Sequence, residues 1–169
     1  NLGQGFAKSF NISFLDKNES KNVPWQNSWG VSTRLIGAIV MTHGDNKGLV
    51  IPPRLAYNKA VIIPLIFKGK EEKVIKKSKE FFKKLEKLNP ILDDRDYTPG
   101  WKFSEWELKG IPLRIEIGPK DIEKKQVTVV RRDNGNKIEV KETNLVKEIE
   151  KILEDIQNSL FEKARKNLD

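Results

Sequence analysis

A group of charged and aromatic side chains between residues 93 and 121 has the composition of a surface that recognises nucleobases. Arg114 carries a planar guanidinium that can donate two parallel hydrogen bonds to O6 and N7 of guanine. Glu107 and Asp121 can accept hydrogen bonds from base amino groups. Single-stranded bases are read at their edges by such donors and acceptors beside flat apolar surfaces. The flat side chains here are Trp101, Phe103 and Trp106. An exposed salt-bridge face on a small α/β domain would have the same composition, so the residue types leave both interpretations open.

Arg34 stands in the first turn of a predicted helix, where the helix dipole disfavours a cation. A cation is favourable at that place if an anion such as a phosphate binds at the same helix N-terminus. The alternative is a surface arginine without a partner.

The segment Ser28, Trp29 and Gly30 has the composition of a pocket wall. A glycine allows close approach of backbone to a ligand, and a tryptophan can line a small-molecule pocket. The alternative is a core tryptophan beside a turn glycine.

Composition excludes several classes of site. The 169 residues contain no Cys and one His, which excludes disulfides, cysteine-zinc sites, thiol nucleophiles and a histidine-rich metal cage, so we predict no metal site. The formal net charge of +8 is compatible with a nucleic-acid partner. No apolar run approaches the ~18 residues of a membrane span. We therefore expect a soluble, cytoplasmic protein.

These residues lie in two regions that differ in composition and in hydrophobic pattern. Residues 1–56 are rich in Gly, Asn, Ser and Trp, and residues 57–169 have the alternating pattern of an α/β domain. In the first region we predict a strand over 6–15, a polar hairpin-like loop over 16–24, a buried helix over 32–41 and a short buried strand over 49–51. In the second region we predict helices over 70–88, 100–109 and 144–168. The predicted strands lie at 60–67, 91–92, 113–117, 127–130 and 138–140.

Two long runs resemble the class II prolyl-tRNA synthetases. The run NSWGVSTRLIGAIVMTHGD at 27–45, followed by GLVIPPR at 48–54, resembles motif 3 of that family. The run DDRDYTPGWKFSEWELKGIPLRIEIGPKD at 93–121 is similar to the anticodon-binding domain of its archaeal and eukaryotic type. The resemblance covers essentially the whole chain.

The resemblance implies roles for individual residues. It implies that Arg34 is a catalytic residue that contacts ATP and stabilises phosphate charge as the aminoacyl-adenylate forms. It implies that Ser28, Trp29 and Gly30 line the proline pocket. The residues that it implies for reading the two guanines of the proline anticodon are Glu107, Arg114, Lys120 and Asp121.

The resemblance also implies an α/β fold in two parts. Residues 1–56 would be a partial antiparallel segment from the end of the catalytic domain, and residues 57–169 a mixed five-stranded anticodon-binding domain with helices on both faces. The parent enzyme would activate L-proline with ATP and Mg²⁺, transfer it to tRNA(Pro), and act as a homodimer. Motifs 1 and 2 are absent, so we expect this piece alone to be inactive. The alternative is a stand-alone, non-catalytic RNA-binding module.

Overall fold

The computed structural model describes residues 1–67 and 69–167. The chain divides into two compact units, residues 1–35 and 36–169. The predicted boundary at residue 56, between a catalytic segment and an anticodon-binding domain, stays a prediction.

The first unit contains a short helix and a two-stranded hairpin. Helix α1 spans Gly5–Ser9, and strands β1 (Phe14–Leu15) and β2 (Lys21–Asn22) pair antiparallel. Asp16 closes the hairpin because its Oδ1 accepts the backbone N–H groups of Asn18 and Ser20. The hairpin-like loop is confirmed.

The strand predicted over residues 6–15 is wrong except for its last two residues, Phe14 and Leu15. Phe6 and Phe10 are four residues apart, which is a helical spacing as well as a strand spacing. The chain is helical from Gly5 to Ser9 and buries Ala7.

Helix α2 spans Arg34–His43 close to its predicted position, but the prediction that it is buried is wrong. None of its ten residues is buried, and 82% of Met41 is exposed. The apolar composition of α2 is typical of a helix that packs against a partner. Composition alone does not show whether such a partner is present.

The second unit is built on the predicted mixed five-stranded sheet. Its strand order is β4-β3-β5-β6-β7. The three strands at one side are parallel, and the last two are antiparallel to their neighbours. The strands are β3 (Ala60–Pro64), β4 (Ile91–Leu92), β5 (Leu113–Ile117), β6 (Gln126–Arg131) and β7 (Lys137–Lys141).

Helices pack on both faces of this sheet, as predicted. On one face, α3 (Glu71–Lys84) and α6 (Leu145–Lys166) form the main core with Ala60 and Ile62 of β3. On the other face, Val61 and Ile63 pack with side chains of α4 (Pro99–Leu108). Alternate residues of a strand point to opposite faces, so β3 serves both layers. Leu168, the last residue of the predicted third helix, lies outside the described residues.

Helix α4 covers only part of its face of the sheet. Its Phe103 and Trp106 pack with residues of β3 and β4. Strand register places Arg114 of β5 beside Val130 of β6 and Lys137 of β7. Lys137 and Glu139 are exposed, so this half of the face stays open.

Candidate nucleic-acid interface

A group of polar side chains, which we call the open face, extends from the edge of α4 across the sheet, with Arg114 and Glu116 buried and Lys137 exposed. It begins at the end of α4, crosses β5 and β6, and reaches the short helix α5 (Pro119–Glu123). Its members are Glu107, Arg114, Glu116, Asp121, Thr128 and Lys137.

Arg114 lies at the centre of the open face, and its guanidinium is fixed on three sides. Its Nε donates to Oε1 of Glu116 at 3.0 Å, and its Nη1 donates to Oε1 of Glu107 at 3.3 Å. The guanidinium carbon lies 4.0 Å from the ring centroid of Phe103, in a cation-π contact. A guanidinium has five N–H donors, so three stay unpaired by these contacts.

The alternation of Leu113, Ile115 and Ile117 with Arg114 predicts that Arg114 lies on the polar face of β5, but the side chain is buried there. The residue is 8% exposed, because α4 and the two carboxylates enclose it. Its position on the strand face opposite Leu113 and Ile115 is as predicted.

Glu107 is positioned by the end of α4. The helix starts with Thr98 as N-cap and Pro99 in its first turn, and the chain turns at Gly110 with a φ of +73°. Pro at the first turn and Gly after the last turn are typical helix boundaries. The backbone carbonyl of Glu107 accepts a hydrogen bond of 2.9 Å from Nε of Arg132.

Arg132 ties the end of α4 to the segment that follows α2. Its Nη1 and Nη2 each donate to one carboxylate oxygen of Asp45 at 2.7 Å. These hydrogen bonds lower the pKa of Asp45 well below its usual value, although partial burial opposes the shift.

The strand predicted over residues 49–51 is wrong. This segment instead donates from Leu49 to the carbonyl of Leu108 and from Ile51 to that of Gly110.

Asp121 has a structural role at the other end of the open face. Its Oδ2 accepts the backbone N–H of Gly118 at 2.9 Å, and its Oδ1 accepts the hydroxyl of Thr128 at 3.2 Å. Thr128 lies directly opposite Glu116 in the strand register. The pairing of β5 with β6 therefore connects Asp121, through Thr128, to Glu116. Lys120 is exposed next to Asp121.

Asp93 lies within a buried ion cluster under α4. Its carboxylate accepts two hydrogen bonds from the guanidinium of Arg95, one from the backbone N–H of Arg95 and one from Nε1 of Trp106. The buried Nζ of Lys102 lies 4.0 Å from Oδ1. The hydrogen bonds from Arg95, and next that from Trp106, lower the pKa of Asp93 to about 2 against the opposing effect of burial. Asp93 and Trp106 therefore stabilise α4. The ring of Trp101 stacks on that of Tyr97, with 4.1 Å between the ring centroids.

The main sheet and the open face match a known protein family. The model of the family "Anticodon binding domain" matches residues 59–152. The chain belongs to this family. The match includes all five strands of the main sheet and all six residues of the open face.

Three proteins similar to the chain are named proline-tRNA ligase. The proline-tRNA ligase of Natranaerobius thermophilus is 51% identical over 171 residues, which cover 100% of this chain and 35% of that protein. Those of Ruminiclostridium cellulolyticum and Methanocaldococcus jannaschii are 54% and 49% identical, covering 100% and 96% of this chain. The chain spans about a third of the length of these relatives.

The residues predicted to bind ATP and proline lie outside the family match and are exposed. Arg34 begins α2, as predicted, and its backbone N–H lies 3.4 Å from Oγ of Ser32. Trp29 is 95% exposed, and a β-carbon at Gly30 would meet no atom within 4 Å. Ser28 is exposed as well. The described residues around 28–30 do not form a core, and the roles of these residues stay predictions.

Sequence reasoning missed Glu116 and Thr128 of the anticodon-binding domain's open face, and it missed Arg132, which holds the end of α4. Glu116 is two residues after Arg114 on one strand, so period-two alternation alone places both on the same face. Thr128 and Arg132 carry no such signal, because their partners Asp121 and Asp45 are 7 and 87 residues away in sequence.

No helix within 1–67 or 69–167 is long and apolar enough to cross a membrane. Within the same ranges, no group of three or more acidic, His or Cys side chains could hold a metal ion.

Proposed function

We propose that the chain is part of a proline-tRNA ligase, and that its open face reads the guanines of the tRNA(Pro) anticodon. The family match and the name shared by relatives about half identical over the whole chain support this proposal. The alignment with those relatives covers the whole chain, including the residues before the family match, and this favours the ligase over a stand-alone RNA-binding module.

The observation that carries the proposal is the fixed guanidinium of Arg114. Its unpaired N–H donors match the two acceptors O6 and N7 on the edge of guanine. The carboxylate of Glu107, 30% exposed at its side chain, can accept from the amino group of the same or the neighbouring base. Lys120 and Asp121 are assigned to the second guanine, at the other end of the open face.

Lysines beside Asp121 supply the charge that an RNA backbone requires. Lys124 and Lys125 follow α5, and Lys141 pairs in register with Gln126 next to them. These three and Lys120 are exposed, and within the described ranges none of the four forms an ion pair. Phosphate contacts by lysines release counterions, so binding weakens as salt increases.

The catalytic assignments belong to the parent enzyme. Arg34, at the exposed N-terminus of α2, would stabilise phosphate charge on ATP, and Ser28, Trp29 and Gly30 would line the pocket for L-proline. Mg²⁺ would accompany ATP, but none of the described residues is assigned to it. The parent would act as a homodimer in the cytoplasm, and this piece alone would not charge tRNA.

The test is an equilibrium titration with two RNA stem-loops. One, the GG stem-loop, carries the proline anticodon. The other, the AA stem-loop, has adenines in place of its two guanines. We expect at least a tenfold preference for the first, because one bidentate contact contributes roughly 1–3 kcal/mol and about 1.4 kcal/mol is a factor of ten. Equal affinities would contradict the proposal.

A further inference from the structure

We propose that Glu116 is a positioning residue that fixes the guanidinium of Arg114 and thereby sets its selectivity for guanine. This inference rests on the proposed function of the open face. Glu116 would not touch the RNA base itself.

The contacts of Glu116 place it behind the guanidinium. The residue is 6% exposed, and its Oε1 accepts the Nε hydrogen of Arg114 at 3.0 Å. Its Oε2 lies 3.9 Å from Nζ of Lys137, an exposed lysine on β7, two strands away from β5 in the sheet. Glu116 is therefore held between two cations, and only one of them is buried.

Two contacts together restrict the movement of the Arg114 guanidinium. Phe103 lies under one face of the planar group at 4.0 Å, which limits tilting. Glu116 holds Nε, which limits rotation in the plane and removes that donor from competition. Both N–H groups of Nη2 and one of Nη1 then remain for the RNA.

An arginine without this restraint would lose selectivity before it lost affinity. A mobile guanidinium behaves as a positive charge that can pair with any phosphate or base acceptor, whereas a fixed one offers its donors in one geometry. Glu116 is therefore expected to act on the ratio of affinities for guanine and adenine. A residue that only stabilised the fold would change both affinities together.

Two substitutions separate geometry from charge. Glu116→Asp keeps the negative charge but withdraws the carboxylate by about 1.5 Å, too far to hold Nε. Glu116→Gln removes the charge but keeps an oxygen that can accept from Nε at the same place. The matched controls are Glu139→Asp and Glu139→Gln, because Glu139 is exposed on β7 and is linked to Glu116 through Thr128 in the register.

The experiment titrates the whole chain and each variant with the GG stem-loop and the AA stem-loop. We expect Glu116→Asp to lower the GG preference by about five- to tenfold, and Glu116→Gln to keep it within about threefold of the original chain. Both control variants should keep the original preference. An unchanged preference in Glu116→Asp, or an equal loss in the Asp and Gln variants, would overturn the positioning role. If the original chain itself shows no GG preference, the proposed function fails instead.

Discussion

Replacing Arg114 by Ala is expected to abolish most of the preference for the GG stem-loop over the AA stem-loop. Arg114 supplies the unpaired donors at the centre of the open face, and its loss removes one bidentate contact of roughly 1–3 kcal/mol. We expect the ratio of the two dissociation constants to fall by about tenfold, measured by titration at one fixed salt concentration.

A conservative variant and a distant one serve as controls for this prediction. Arg114→Lys keeps the charge but lacks the planar pair of donors, so it should lose the preference as Arg114→Ala does. Lys83→Ala changes an exposed lysine of α3, on the other face of the sheet, and should leave the ratio unchanged. An Arg114→Ala variant that kept the original ratio would show that the open face does not read bases.

Replacing Asp93 by Asn is expected to lower the free energy of unfolding by about 3 kcal/mol at neutral pH. The substitution leaves Lys102, which is 3% exposed, without its buried counterion, and removing one partner of a buried ion pair is strongly destabilising. Chemical denaturation measures the change. Asp94→Asn, at an exposed neighbouring acid, is the matched control and should change the stability little.

The lowered pKa of Asp93 also predicts how the free energy of unfolding decreases in acid. The pKa of Asp93 is lowered from 3.8 to about 2, chiefly by Arg95, so its contribution is complete above about pH 4. As the pH falls from about 4 to 2, the carboxylate takes up a proton and about 2 kcal/mol of stability is lost. The Asp93→Asn variant should lack this loss. Parallel acid limbs in the two proteins would contradict the assignment.

The period of the hydrophobic residues was sufficient to predict the five strands of the main sheet and the helices α3, α4 and α6. Strict alternation from Leu113 to Ile117 and the helical stripe from Val74 to Phe81 leave one assignment each, and the structure confirms both. The first unit has shorter elements with mixed spacing. Phe6 and Phe10 fit a helix as well as a strand, and the short local sequence did not decide between them.

The types of the residues on the open face were predictable, but their surroundings were not. Glu107 and Arg114 came from residue chemistry and the family resemblance, and the structure brings them into contact. The burial of Arg114 depends on how α4 packs over the sheet, which no local pattern encodes. The bond between Arg132 and Asp45 joins residues 87 positions apart and has no sequence signal.

The central claim is that Arg114 reads O6 and N7 of a guanine, and removal of N7 alone tests it most directly. We would titrate the chain and Arg114→Ala with stem-loops in which each anticodon guanine in turn is 7-deazaguanine. One replacement should weaken binding to the original chain by about tenfold, because a hydrogen bond to a charged group contributes roughly 1.5–3 kcal/mol, and should not affect Arg114→Ala. Full affinity for both modified RNAs, or an equal loss in Arg114→Ala, would contradict the account.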